Sequence, residues 1–203
     1  MRTYFDCYPC FIDQALRAGR MATDDEQKIK HLLDEVGMML KDIRLESTPP
    51  ETARLIYQKV KKITGKSDPY RKIKKENTDK ALTLYPSLKR MIEASDDRLV
   101  AAIRLAIAGN IMDFGATDAF DVKKTIKNVV TAEFAIDYSE KLKQGLKNAH
   151  SILYFADNSG EIVFDKLLLE IILKHYSNKK ITFVVKAGPI INDATMSDID
   201  QVT

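Results

Sequence analysis

Polar side chains that could bind a cation and a phosphate lie in two short segments near the end of the sequence. Asp157 and Asn158 directly follow an apolar run, and Lys186 and Asp193 follow a second one. Carboxylate and amide oxygens suit Mg²⁺, which binds few carboxylates together with water and phosphate. A neighbouring lysine would stabilise phosphate charge. The residue types therefore indicate a site for a divalent cation and a phosphate ester.

The two apolar runs are typical of strands in a parallel sheet. Residues 152–156 are apolar without alternation, the pattern of a strand covered on both faces, and residues 181–185, apolar except for Thr182, form a second predicted strand. A helix-forming run, residues 162–173, separates them, so one right-handed crossover would place the strands side by side and parallel. Open α/β sheets bind ligands at the carboxyl ends of such strands. We therefore expect Asp157 and Asp193 to face each other across adjacent strand ends.

The turn after the first strand has two possible roles. Backbone N–H groups at the start of the following helix favour an anion such as phosphate. Alternatively, Asn158 and Glu161 fit a helix N-cap and its partner, and Thr195 and Asp198 fit another. Turn and cap chemistry is the commoner role for a single acid. The two acids together, with a lysine nearby, favour the cation site.

Three segments of the sequence resemble those of a known family. They are GNIMDFG at 109–115, ADNSGEIVFDKLLLE at 156–170 and VKAGPIINDAT at 185–195. In this order and spacing they are similar to the damage-control phosphatases, long catalogued as domain of unknown function 89. The opening CYPC at 7–10, typical of a prokaryotic branch, and the DPY at 68–70 also fit. The resemblance covers the whole chain.

The resemblance implies a hydrolase: a metal-dependent phosphatase of small phosphorylated metabolites, such as sugar phosphates or damaged side products, acting in metabolite repair. Asp157, Asn158 and Asp193 match the metal ligands of the family, and Lys186 matches a pocket position. These four residues are assigned to catalysis. The residues assigned to substrate binding are Asn110, Asp113, Ser159, Gly160 and Glu161. The expected cofactor is a divalent cation: magnesium, manganese, cobalt or nickel.

The expected reaction is attack on a phosphomonoester by a metal-activated water. Covalent attack by Asp157 is a less favoured variant, because the DxDxT motif of the haloacid-dehalogenase phosphatases is absent from the sequence. A second functional class is a module that binds a phosphometabolite or nucleotide without turnover. A third is a lysine-driven nucleic-acid binder, whose affinity would fall steeply with salt. The physiological substrate and the metal are not specified by the sequence.

The predicted fold is α/β: an N-terminal all-helical bundle, residues 1–108, followed by a Rossmann-like parallel α/β domain, residues 109–203. Helix starts are expected at Thr23, with Glu26 as its capping-box partner, and at the Thr48-Pro49-Pro50-Glu51 segment, whose helix Gly65 suits as an end.

Only two strands are convincing, and a parallel sheet usually has more. We therefore expect the α/β domain to be truncated at its C-terminus, as a fragment or a split protein. Exposed apolar sheet edges would then recruit a second copy or a C-terminal complementing chain.

Composition limits the other classes of function. The 203 residues carry a net charge of +3 and are 45% hydrophobic, without an apolar stretch near the roughly 18 residues of a membrane helix. The cytoplasm is the expected location, and no membrane partner is expected. Acids interrupt the lysine-rich region 59–80, which favours a solvated helix face over a nucleic-acid partner. Cys7 and Cys10 are expected to be buried structural thiols, rather than redox groups or metal ligands.

Overall fold

The computed structural model describes residues 1–111 and 122–202. These fall into two compact units. The N-terminal unit consists of Met1–Lys72 with Gly188–Asn192, and the C-terminal unit consists of Ile73–Ala187 with Asp193–Thr203. The structure is a mostly helical α/β fold with a small parallel sheet, as predicted at this coarse level. The domain boundary predicted after residue 108 stays a prediction.

Three helices build the N-terminal unit: α1 (Cys7–Ala22), α2 (Glu26–Leu40) and α3 (Pro49–Thr64). The helix start predicted at residues 48–51 is confirmed, and Thr48 and Glu51 form a capping box there. Gly65 ends this helix in the left-handed region, at φ 77°, which glycine adopts without steric cost. The core of the unit consists of side chains such as Phe11, Leu32, Val36, Ile56 and Val60.

Two local predictions for the N-terminal unit are wrong. The N-cap of α2 is Asp25, not Thr23, because the Asp25 carboxylate accepts the N–H groups of Gln27 and Lys28 at 3.0 and 3.2 Å. The cysteines are not a buried pair: Cys10 is exposed and Cys7 is partly exposed, and both are free thiols. They lie in the first turn of α1, and the apolar face of that helix begins at Phe11. Their role stays open.

In the part of the C-terminal unit that the structure describes, there are the sheet and six helices. The helices are α4 (Arg71–Glu93), α5 (Arg98–Ile111), α6 (Val122–Thr131), α7 (Ser139–Asn148), α8 (Ile162–His175) and α9 (Met196–Ile199). Helix α4 begins two residues before the unit boundary. The strands are β1 (Ser151–Phe155) and β2 (Lys180–Val184), each one residue earlier than predicted. None of the described helices is both long and apolar enough to cross a membrane.

The two strands are parallel, as predicted. Their register pairs Ser151 with Lys180 and Phe155 with Val184, and α8 connects them. Burial differs from the prediction, however, because Leu153 is 58% exposed and Phe155 is 71% exposed. Side chains alternate between the two faces of a strand. On the other face, Tyr154 contacts α8, whereas no residue that the structure describes buries the face of Leu153 and Phe155.

Close packing of α5 against α8 requires a glycine at position 109. A Cβ at Gly109 would lie 2.8 Å from Cγ and 2.9 Å from Cβ of Phe164, closer than real Cβ atoms come. We predict that Gly109→Ala lowers the free energy of unfolding by about 1–3 kcal/mol, measured by urea denaturation. Gly145→Ala in α7 is the matched control. Its Cβ would meet nothing within 4 Å, so it should stabilise the protein by about 0.5–1 kcal/mol. Equal effects of the two changes would contradict this packing.

Candidate functional site

Two segments meet at the carboxyl ends of the strands. We name residues 157–161, after β1, the Asp157 turn, and residues 193–198, after β2, the Asp193 segment. An antiparallel bridge pairs Asn158 with Asp193, and the Ala194 N–H donates to the Asp157 carbonyl at 2.7 Å. The Lys186 N–H donates to the Ala194 carbonyl at 3.0 Å. The structure thus brings together the acids that the sequence placed on separate strand ends.

Lys186 lies against the second acid. Its Nζ is 3.3 Å from Oδ2 of Asp193, whose side chain is only 15% exposed. Burial raises the pKa of the Asp193 carboxyl, Lys186 lowers it, and repulsion from Asp157 raises it again. The lysine therefore only partly offsets the cost of holding two carboxylates at this edge. A cation bound between them would offset it further.

Glu161 orients the amide of Asn158. Its Oε2 accepts the Asn158 backbone N–H and the Asn158 Nδ2 group, each at 3.3 Å, and the Asn110 Nδ2 group at 3.0 Å. The Asn158 amide nitrogen also lies 3.4 Å from Oδ2 of Asp157. Since the nitrogen faces these carboxylates, the amide oxygen is the atom left for a cation. Glu161 is the N-cap residue of α8, where a negative charge is favourable.

We predict that Glu161→Ala weakens the binding of Mn²⁺ about 10- to 100-fold, the usual effect of losing a group that orients a metal ligand. The reason is that Asn158 loses two hydrogen bonds to this carboxylate. Titration calorimetry would measure the change, with Glu93→Ala, at the exposed end of α4, as the control. An unchanged affinity would exclude the orienting role.

The remaining predicted substrate residues are only partly described. Ser159 is fully buried, and its Oγ donates to the Lys74 carbonyl at 3.5 Å. Thr78 Oγ1 in turn donates to the Ser159 carbonyl at 3.2 Å. Gly160 is also buried. Their assignment to substrate binding stays a prediction, and Asp113 lies outside the described residues.

Sequence reasoning missed two buried charged groups. Lys74 is 1% exposed and lies 2.7 Å from Oδ2 of Asp198, although the lysines of this region were assigned to a solvated helix face. Its position on the buried face of α4, four residues before Thr78, was an available signal. Asp165, also 1% exposed, interrupts the apolar first turn of α8.

Asp165 is held in the core as a hydrogen-bond acceptor. The Tyr154 hydroxyl donates to its Oδ1 at 2.6 Å, and Oδ2 has no partner among the residues that the structure describes. Burial raises the pKa of Asp165 to about 7, against the effect of the Tyr154 hydrogen bond, and the charges of Glu161 and Asp157 raise it further. A carboxyl in this position carries a proton in neutral solution far more readily than an exposed one.

The donor set fits a hard divalent cation. It consists of the carboxylates of Asp157 and Asp193 and the amide of Asn158, all oxygen donors of the kind that Mg²⁺ and Mn²⁺ prefer. The mutual repulsion of the two acids is the effect that such an ion would relieve. Among the described residues no group of three or more His, Cys, Asp or Glu side chains could hold a metal, and the set here consists of two carboxylates and one amide.

Comparison with known proteins identifies the family. The damage-control phosphatase ARMT1-like domain matches residues 3–203. An uncharacterized protein of Methanocaldococcus jannaschii is 37% identical over 199 residues, which cover 95% of this chain and 65% of that protein. A damage-control phosphatase of Pyrococcus horikoshii is 30% identical over 203 residues, covering 99% of this chain and 69% of the relative.

A solved structure has the same fold. The crystal structure of a DUF89 family protein from Pyrococcus horikoshii superposes with a TM-score of 0.89 at 30% sequence identity. The match covers 100% of this chain and 70% of that structure. The chain thus spans about two thirds of the length of the relatives it matches. On the strength of this domain match and these relatives, the chain belongs to the damage-control phosphatase ARMT1-like family.

Proposed function

We propose that this chain is a metal-dependent phosphatase of small phosphorylated metabolites. The observation that carries the proposal is the meeting of Asp157, Asn158 and Asp193 at adjacent strand ends, with Lys186 beside them. Relatives named damage-control phosphatases support the same reaction class. The cation is proposed to be Mg²⁺ or Mn²⁺, with Co²⁺ and Ni²⁺ as alternatives. Cytoplasmic location and a role in metabolite repair stay predictions.

Each residue of the site has a proposed task. Asp157, Asn158 and Asp193 would hold the cation through oxygen atoms, and Glu161 keeps the Asn158 amide in orientation. The bound cation would supply Lewis acidity, polarising a phosphate oxygen and lowering the pKa of a nearby water. Lys186 would release its contact with Asp193 in part and bind a phosphate oxygen, which its 48% exposure permits. Asn110 is proposed to contact the substrate.

The proposed sheet context is Rossmann-like. The parallel pair β1 and β2, joined by α8, is the repeating unit of such folds, and ligands bind at the carboxyl ends of its strands. The site residues lie at those ends. A second copy or a complementing chain, predicted from the sequence, stays a prediction.

The test is phosphate release from p-nitrophenyl phosphate and a panel of sugar phosphates, with and without Mg²⁺, Mn²⁺, Co²⁺ or Ni²⁺. The proposal expects release that depends on the added cation and is removed by EDTA. Release that persists in EDTA would contradict it. Trapping a phospho-aspartyl species at Asp157 would show that the reaction proceeds by covalent catalysis and not by attack of water.

A second candidate is a phosphometabolite-binding module without turnover. The contact between Lys186 and Asp193 is compatible with it, because a lysine binds a phosphate group whether or not hydrolysis follows. A binder would retain Mn²⁺ and a phosphorylated ligand in calorimetry but release no phosphate in the assay above.

A further inference from the structure

Lys74, in the first turn of α4, is a buried lysine whose ammonium lies 2.7 Å from Oδ2 of Asp198. The two residues are 1% and 3% exposed. Lysine and aspartate are almost never fully buried unless they are paired. A buried ion pair seldom stabilises a fold more than apolar side chains of the same volume would. Stability alone therefore does not account for a charged pair in this position.

The side chain of Lys74 is linked to the Asp193 segment. The same Oδ2 of Asp198 accepts the Thr195 N–H at 2.8 Å and the Thr195 hydroxyl at 2.6 Å. Thr195 also pairs with Lys186 in a parallel bridge. One carboxylate thus connects the ammonium to a residue two positions from Asp193.

The backbone of Lys74 is linked to the Asp157 turn. Its carbonyl accepts the Ser159 hydroxyl at 3.5 Å, and Thr78, one helical turn later, donates to the Ser159 carbonyl at 3.2 Å. All three residues are buried. Ser159 directly follows Asn158, so α4 fixes the turn that carries the first two proposed cation ligands.

The two segments are also joined to each other. The Ala194 N–H donates to the Asp157 carbonyl at 2.7 Å, next to the bridge between Asn158 and Asp193. Lys74 therefore closes a ring of contacts: from α4 to the Asp157 turn, from that turn to the Asp193 segment, and back to α4 through Asp198.

We propose that Lys74 is a positioning residue that holds the Asp157 turn and the Asp193 segment together and thereby sets the affinity of the site for a divalent cation. The effect on cation affinity rests on the proposed function, whereas the linkage of the two segments does not.

Amide hydrogen exchange without metal tests the structural half. The variants are Lys74→Met, Asp198→Asn, which keeps an oxygen acceptor for Thr195, and the double change. We expect exchange at the Ala194 N–H to accelerate at least tenfold, while the sheet N–H of Ala156, donated to Val184, stays protected. Lys75→Met is the control: it breaks the exposed pair with Asp79, one residue along α4, and should change neither amide.

Mn²⁺ calorimetry on the same proteins tests the functional half. We expect each folded variant to bind at least about tenfold more weakly, as is usual when a partner behind a ligand is lost. The Mn²⁺ affinity of the double variant should be no lower than that of whichever single variant binds less tightly. The reason is that both single changes break the same linkage.

The outcomes separate the two proposals. The inference is overturned if the Ala194 N–H of a folded Asp198→Asn variant exchanges at the wild-type rate. An unchanged Mn²⁺ affinity of that variant also overturns it. Failure of this near-isosteric variant to fold also overturns it, since the pair would then serve the fold. If the wild-type protein binds no Mn²⁺, the cation site is refuted. If exchange at Ala194 is nevertheless faster in the variants, the role of Lys74 in holding the two segments together stands.

Discussion

Asp193→Asn is expected to reduce cation-dependent phosphate release at least about 100-fold. Groups that merely orient a metal ligand already change affinity or activity 10- to 100-fold, and Asp193 is proposed to be a ligand itself. The change removes one carboxylate and keeps the shape of the side chain. Burial raises the pKa of Asp193, so its charged form is disfavoured in the fold. The variant should therefore fold at least as well as the wild type.

The control for this prediction is Asp200→Asn. Asp200 is an exposed acid directly after α9, two residues beyond the Asp193 segment, and it should tolerate the change without loss of activity. Phosphate release at saturating Mn²⁺ and thermal unfolding of all three proteins would be measured together. A folded Asp193→Asn variant that keeps more than a tenth of wild-type activity would contradict the assignment of Asp193.

Asp165→Asn is expected to stabilise the protein in neutral and alkaline solution. The pKa of Asp165 is about 7 in the fold and about 3.9 in an unfolded chain. Well below pH 4 the group is protonated in both states. Between pH 4 and pH 7 the unfolded chain loses the proton first, so the wild-type free energy of unfolding falls as pH rises. Above pH 7 the loss is complete, at roughly 4 kcal/mol for about 3 pKa units.

The variant should escape this loss, because asparagine does not titrate and can still accept the Tyr154 hydroxyl. Urea unfolding in EDTA from pH 4 to pH 8 would give both curves. We expect the advantage of the variant to grow from about zero at pH 4 to a maximum above pH 7. If the two proteins give parallel curves, the pKa of Asp165 in the fold does not differ from its value in the unfolded chain, which would contradict the prediction.

Sequence patterns predicted the parts of the structure that depend on short-range chemistry. Apolar runs gave both strands, and their parallel pairing followed from the helix between them. The Thr48 cap and the Gly65 end of α3 follow from local hydrogen bonding and backbone geometry. The approach of Asp157 to Asp193 was predictable because parallel strands end at one edge of a sheet.

Long-range partners were not predictable in the same way. Lys74 and Asp198 are 124 positions apart, and nothing near either residue shows that an opposite charge will meet it. The hydrogen bond that Asp165 accepts was not predictable either, because its donor, Tyr154, lies on a different element, β1. The exposed Leu153 and Phe155 also departed from expectation, since an apolar run does not reveal whether a second layer covers it.

The most direct test of the proposed site compares Mn²⁺-dependent phosphate release by the wild type and by Asp157→Asn, with EDTA as the blank. Asp157 begins the turn after β1 and repels Asp193, so its carboxylate is central to the proposed binding of the cation. We predict release by the wild type that EDTA abolishes, and a loss of at least about 100-fold in a variant that still folds. Equal release by the two proteins would contradict a cation-dependent phosphatase site at these strand ends.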